Sequence, residues 1–223
     1  MAGRRRKGHR VSESSLAGPV DGTRPVFYYD FSSPYAYLAA SRVDDLLPVR
    51  PEWRPIAFGV IVRRLGKQPW SFKENRNRDF DEIARRAADR GIPEVRYPEG
   101  WPVETYSLAS LRAALVASDD GEDRLRAVSR ELFRTAFVDG RHLADLDAVL
   151  DAAERAGMDR ARVRAAIETT EVKERLRAET DAALDRGVTG VPTVAVGDRL
   201  FWGDDRLEEA VEAAAGLATA AED

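Results

Sequence analysis

The chain reads as an α/β protein in which a small sheet domain is interrupted by a long all-helical insertion. Three observations carry that reading. A strand-like run, Val26 to Phe31, lies near the start. Strand character returns only over Val188 to Trp202, and between about Phe72 and Leu184 the sequence repeats a helical period without a convincing strand. At 223 residues, the length suits one domain or a small domain with a large insertion.

The elements follow in order. Val26 to Phe31 is β-branched and aromatic, bounded by Pro25 and by Ser32-Ser33-Pro34, as a buried strand requires. A helix is expected next, with Ser33 as N-cap, Pro34 as first helical residue, and Tyr37, Leu38, Val43, Leu46 and Leu47 as its apolar face before Pro48. Val49 to Ala57 is the second strand, its regular part confined by Pro51 and Pro55. Breaks at Gly91 to Pro102, Asp119 to Gly121, Asp139-Gly140, Gly157 and Thr169-Thr170 divide the middle into five or six helices. Apolar faces such as Leu125, Val128, Leu132 and Phe133 let them pack as a bundle. Near the end, Gly197-Asp198 joins Val191 to Val196 and Arg199 to Trp202 as a hairpin. Gly203-Asp204-Asp205 then supplies a turn and an N-cap for a final helix. The expected organisation is a disordered basic tail over 1–24, a sheet domain from 25–57 and 185–220, and a helical insertion over 58–184.

Composition removes several chemistries. The chain has no cysteine, which excludes disulfides, thiolate metal sites and cysteine nucleophiles. Two histidines, His9 and His142, leave no basis for a histidine-rich metal cluster. A formal charge of −4 gives no argument for a nucleic-acid partner. The basic run Arg4 to Arg10 is followed by no apolar stretch, and no segment approaches a membrane-spanning run. The expectation is a cytoplasmic protein that binds neither membrane nor nucleic acid.

Ser32-Ser33-Pro34-Tyr35-Ala36 stands where a thiol redox enzyme carries Cys-Pro-x-Cys. Chemistry at this turn must therefore use a hydroxyl, or a thiol brought in from outside. The segment Phe27 to Ala39, together with Gly187 to Thr193 and Phe201 to Leu207, resembles the 2-hydroxychromene-2-carboxylate isomerase family, within the DsbA-like and kappa-class glutathione transferase group. The resemblance covers about residues 25–215 and implies a thioredoxin-like fold with a large all-helical insertion domain. It further implies an isomerase that uses glutathione, or another low-molecular-weight thiol, in reversible addition to a small aromatic 2-oxo acid.

Residue by residue, the resemblance gives Ser33 the catalytic role of approaching the thiol sulfur. A hydroxyl donor and a helix N-terminus both favour the thiolate. Val191-Pro192 corresponds to the family's cis-proline turn, which offers backbone groups to an extended peptide. Trp202, Gly203, Asp204 and Asp205 fall where the family binds the γ-glutamyl end. Toward the substrate, Lys67 and Lys73 suit a carboxylate and Trp70 and Trp101 suit an aromatic ring. Alternatives stand beside each assignment: an N-cap for Ser33, a trans proline opening a strand, a simple helix cap at Trp202 to Asp205, solvated lysines, and tryptophans packed at a domain junction. Two other activities also fit, a kappa-type glutathione transferase or peroxidase and a non-catalytic DsbA-like binding module. The family also allows a homodimer.

Overall fold

In the computed structural model, the described residues are 24–74, 76–103 and 105–220, with the side chains of 218–220 excepted. The expected basic tail lies outside them apart from Arg24. That residue belongs to the fold rather than to a tail: its guanidinium donates to both Glu122 carboxylate oxygens, at 2.8 and 2.7 Å, and to the Arg50 carbonyl.

Among the described residues, four strands form one sheet in the order β2-β1-β3-β4, where β1 is Val26–Tyr29, β2 Glu52–Pro55, β3 Thr193–Val196 and β4 Arg199–Trp202. β1 and β2 run parallel, and β3 is antiparallel to both of its neighbours. Side chains alternate across the sheet. Phe27 and Tyr29 face one core with Trp53 and Phe133, while Val26 and Tyr28 face another with Ile56, Ile61, Ala183 and Val188. β1 is buried on both faces, which is why its sequence is an unbroken apolar run.

The helix after β1 is shorter than expected. α1 (Pro34–Ala40) ends where Ser41 Oγ donates to the Tyr37 carbonyl at 3.0 Å, and a separate turn, α2 (Val43–Leu46), follows. A side chain that competes for the helix carbonyls suits a terminus better than an interior. The second strand is likewise confined to four residues. α3 (Phe58–Arg64) leads to a 3-10 turn at Trp70–Phe72, then to α4 (Arg76–Asp89), α5 (Leu108–Ser118), α6 (Glu122–Phe137), α7 (Leu146–Arg155), α8 (Arg160–Ala166) and α9 (Thr170–Asp185). After β4 a 3-10 turn at Asp204–Arg206 precedes α10 (Leu207–Ala220), so the final helix starts later than a cap at Asp205 would put it.

The division between sheet domain and insertion is less sharp than sequence suggests. α9 falls inside the expected insertion, yet Ala183 packs in the second sheet core and Thr180 Oγ1 accepts the Ala57 backbone N–H at 3.0 Å. An apolar sheet face has to be covered, and α3 with the end of α9 covers it. On the other face, sheet residues share one continuous core with α5, α6 and α7. Among the described residues no helix is long and apolar enough to cross a membrane.

Candidate active site

The site begins at the end of β1. Asp30 is 1% exposed, and its carboxylate accepts the Ser32 and Phe58 backbone N–H groups, each at 2.8 Å. Its carbonyl accepts the Ser33 N–H at 3.1 Å. Burial raises the Asp30 carboxyl above its ordinary range, and the hydrogen bonds it accepts oppose that shift. Asp30 thus ties the Ser32-Ser33 turn to the start of α3.

Ser33 caps α1 as the Ser-Pro pair predicts. Its Oγ accepts the Ala36 N–H at 3.2 Å and donates to the Val191 carbonyl at 3.4 Å, a long bond. The Val191-Pro192 peptide is cis, and among the described residues the Val191 N–H has no hydrogen-bond partner. The Pro192 carbonyl accepts the Gly203 N–H at 2.9 Å, which ties the loop before β3 to the turn after β4. Gly203 has φ +117°, a conformation that side chains rarely adopt.

The two aspartates of that turn differ. Asp204 is fully buried, and its carboxylate oxygens are taken by Arg86 of α4 and by Arg90 in the turn just after it. Asp205 is largely exposed and meets only the edge of Arg86, at 3.6 Å. Asp204 therefore has no oxygen left for the ammonium that the resemblance assigns to this turn, whereas Asp205 has. Arg86 also pairs with Glu82 at 2.7 Å and lies 5.7 Å from the Tyr35 ring centre. Its two cationic neighbours, Arg85 and Arg86, hold the Glu82 carboxyl down to about 2.

The opposite wall is aromatic. Trp70 meets Tyr35 edge-on at 5.6 Å and Trp101 at 5.7 Å, and Trp101 in turn packs on Tyr97 at 4.9 Å. Lys67 and Lys73 are exposed on the segment leading into α4, and neither forms an ion pair with another described residue. Phe72, Val103 and Tyr106 extend the wall outward with exposed apolar surface.

These residues surround one cavity of about 790 Å³. Ser33, Val191, Pro192, Trp202, Gly203, Asp204 and Asp205 line it from the sheet side, and Lys67, Trp70, Lys73 and Trp101 line it from the helical side. All the residues singled out from sequence are thus brought together. Arg86 and Tyr35 also line it, and Asp30 lies beneath its floor. Sequence reasoning missed all three. An acidic residue closing an apolar strand two positions before a serine was a usable signal for Asp30. Arg86 gave none, since arginines recur all along the insertion.

A mixed sheet with a hydroxyl capping the helix after its first strand, set against a cis-proline loop before its third, defines a thioredoxin-like domain without its redox cysteines. The chain belongs to the DSBA-like thioredoxin domain family, whose model matches residues 26–215. It is 28% identical over 189 residues to 2-hydroxychromene-2-carboxylate isomerase of Pseudomonas putida, covering 81% of this chain and 89% of that one. To human glutathione S-transferase kappa 1 it is 26% identical over 204 residues, covering 86% and 90%. A solved structure of a 2-hydroxychromene-2-carboxylate isomerase superposes with a TM-score of 0.77 at 26% identity, covering 87% of this chain and 95% of that one.

Proposed function

We propose that the chain is a glutathione-dependent isomerase acting on a small aromatic 2-oxo acid of the hydroxychromene-carboxylate type. The observation that carries this reading is the pairing of Ser33 Oγ with the Val191 backbone at one end of a cavity whose other end is aromatic and cationic. The residues present fit a peptide thiol. Val191 offers an unpaired N–H to an extended backbone, Asp205 offers an exposed carboxylate, held only at 3.6 Å by Arg86, to an ammonium, and Ser33 holds only a long bond that it can exchange for a better acceptor.

Ser33 donates its hydroxyl proton in a hydrogen bond to the sulfur site while the Ala36 N–H fixes its oxygen. A donor aimed at developing negative charge from a nine-tenths buried position is worth more than it would be in water. The thiol, when bound, supplies a nucleophile that adds to the substrate and leaves again without net redox change. Lys67 and Lys73 hold the substrate carboxylate, and Trp70 and Trp101 hold its ring. The two walls set the distance between ring and sulfur. The names of the relatives support both an isomerase and a transferase of this group.

The test uses purified chain, 2-hydroxychromene-2-carboxylate and a panel of thiols. Isomerisation is expected with glutathione and not without thiol, and Ser33→Ala is expected to lose most of it. Turnover in the absence of thiol, or full turnover by Ser33→Ala, removes the role assigned to Ser33. Measuring free thiol separates the neighbouring activity, because a transferase consumes it and an isomerase returns it.

A further inference from the structure

A buried glycine lies beneath an exposed tryptophan at the thiol end of the cavity. Gly190 is buried, whereas Trp202 is 61% exposed and lines the cavity. Gly187, Gly197 and Gly203 nearby all have positive φ, which accounts for their lack of a side chain. Gly190 does not have positive φ, so its backbone is open to any residue. What leaves no room is the indole. A Cβ built at Gly190 would stand 2.9 Å from Trp202 Cζ2 and closer still to Cε2 and Nε1.

The backbone at Gly190 has little freedom to retreat. Its carbonyl accepts Thr193 Oγ1 at 2.8 Å, and Thr193 is buried and directly opposite Trp202 in the β3–β4 register. With the loop anchored to the strand pair, a side chain at position 190 displaces the indole, which solvent leaves free to swing. The Nε1–Cε2–Cζ2 side of the Trp202 indole therefore rests against Gly190, and Trp202 also lines the cavity.

We propose that Gly190 is a positioning residue acting through Trp202: its missing side chain seats the indole across the loop ahead of Pro192, and the seated indole walls the thiol-binding end of the cavity. This rests on the thiol-binding reading above. A flat aromatic face suits the planar amides of an extended peptide thiol, and it does so only while it lies flat.

The experiment compares Gly190→Ala, Trp202→Ala and the double variant by indole N–H resonances and by glutathione titration. The chain has four tryptophans, and the Trp202 resonance is assigned by its absence from Trp202→Ala. Gly190→Ala is expected to move that resonance and to weaken glutathione binding about tenfold, the scale of one lost aromatic contact. In the Trp202→Ala background the same change is expected to cost nothing further. An unmoved resonance overturns the proposal, as does an undiminished loss in the double variant, which would place the effect in the loop itself. Should Gly190→Ala fail to fold, the double variant is expected to fold with the Tm of Trp202→Ala, and failure of that rescue also overturns it. If the wild-type chain binds no glutathione, the thiol-binding reading falls, while the resonance still decides whether Gly190 seats the indole.

Discussion

The two walls of the cavity are held in different ways. On the sheet side, the Ser33 N–H is fixed on the Asp30 carbonyl and the Gly203 N–H on the Pro192 carbonyl, while Ser33 Oγ caps α1 and reaches the Val191 carbonyl. On the helical side, Lys67 and Lys73 are exposed and unpaired among described residues, and the aromatic rings meet through edges and faces. Hydrogen-bonded backbone defines positions closely, whereas ring packing and free lysines tolerate substitution. A fixed wall suits a ligand of one shape, and an adaptable wall suits ligands that differ in shape. The Asp204 pairs with Arg86 and Arg90 strap one wall to the other.

The comparison breaks first at Asp30. Asp30→Ala leaves the Ser32 and Phe58 backbone N–H groups facing a buried site without acceptors, at about 1–3 kcal/mol each, so denaturant unfolding is expected to show a loss of about 4 kcal/mol. Asp30→Asn tests the charge. Because burial raises the folded-state pKa of Asp30, its contribution is full below the unfolded value and lost as pH rises through the folded one. The stability of wild type relative to Asp30→Asn is therefore expected to decline as pH rises through that window. A difference constant with pH would show that the carboxyl does not titrate between the two states.

The strap comes next. Asp204→Ala leaves Arg86 and Arg90 facing each other without their shared partner, and a loss of about 3 kcal/mol is expected in the same measurement. Ser33→Ala separates chemistry from folding on the fixed wall. Thiol-dependent turnover is expected to fall about 100-fold, as when one donor to a developing anion is removed. Stability is expected to fall by only ~1 kcal/mol, the value of an N-cap. Equal losses in both would reduce Ser33 to a cap. The smallest effects belong to the adaptable wall. Lys67→Gln and Lys73→Gln are each expected to raise KM about threefold with kcat unchanged, as for an exposed ion pair worth ~0.7 kcal/mol. A fall in kcat instead would put a lysine in contact with the reacting atoms.

Much of the fixed wall was legible in the sequence because its signals are local. A β-branched run, a Ser-Pro helix start and a Gly-Asp hairpin each act within a few residues, and the observed β1, the start of α1 and the β3–β4 pair follow them. α5 is buried almost all round, so it shows no polar face, and only the breaks beside it marked its ends. The packing of α9 on the sheet was not legible for a non-local reason: a helix's apolar stripe says that it is covered, not what covers it. Asp204 shows the same limit. In sequence it is one of two equivalent acids in a turn, and 118 residues separate it from Arg86.

The sequence by itself determined which residues could act: a hydroxyl in place of a thiol, a Val-Pro turn, Lys67 and Lys73, and a set of tryptophans. Periodicity and turn chemistry are short-range, so they also determined most of the elements that carry these residues. Only the tertiary structure decided which of the two acids is taken up by arginines and which stays exposed, what holds the Ser33 turn from beneath, and why position 190 has no side chain. Those outcomes depend on burial and on contacts between segments distant in the chain, and both arise only when the helical insertion closes over the sheet.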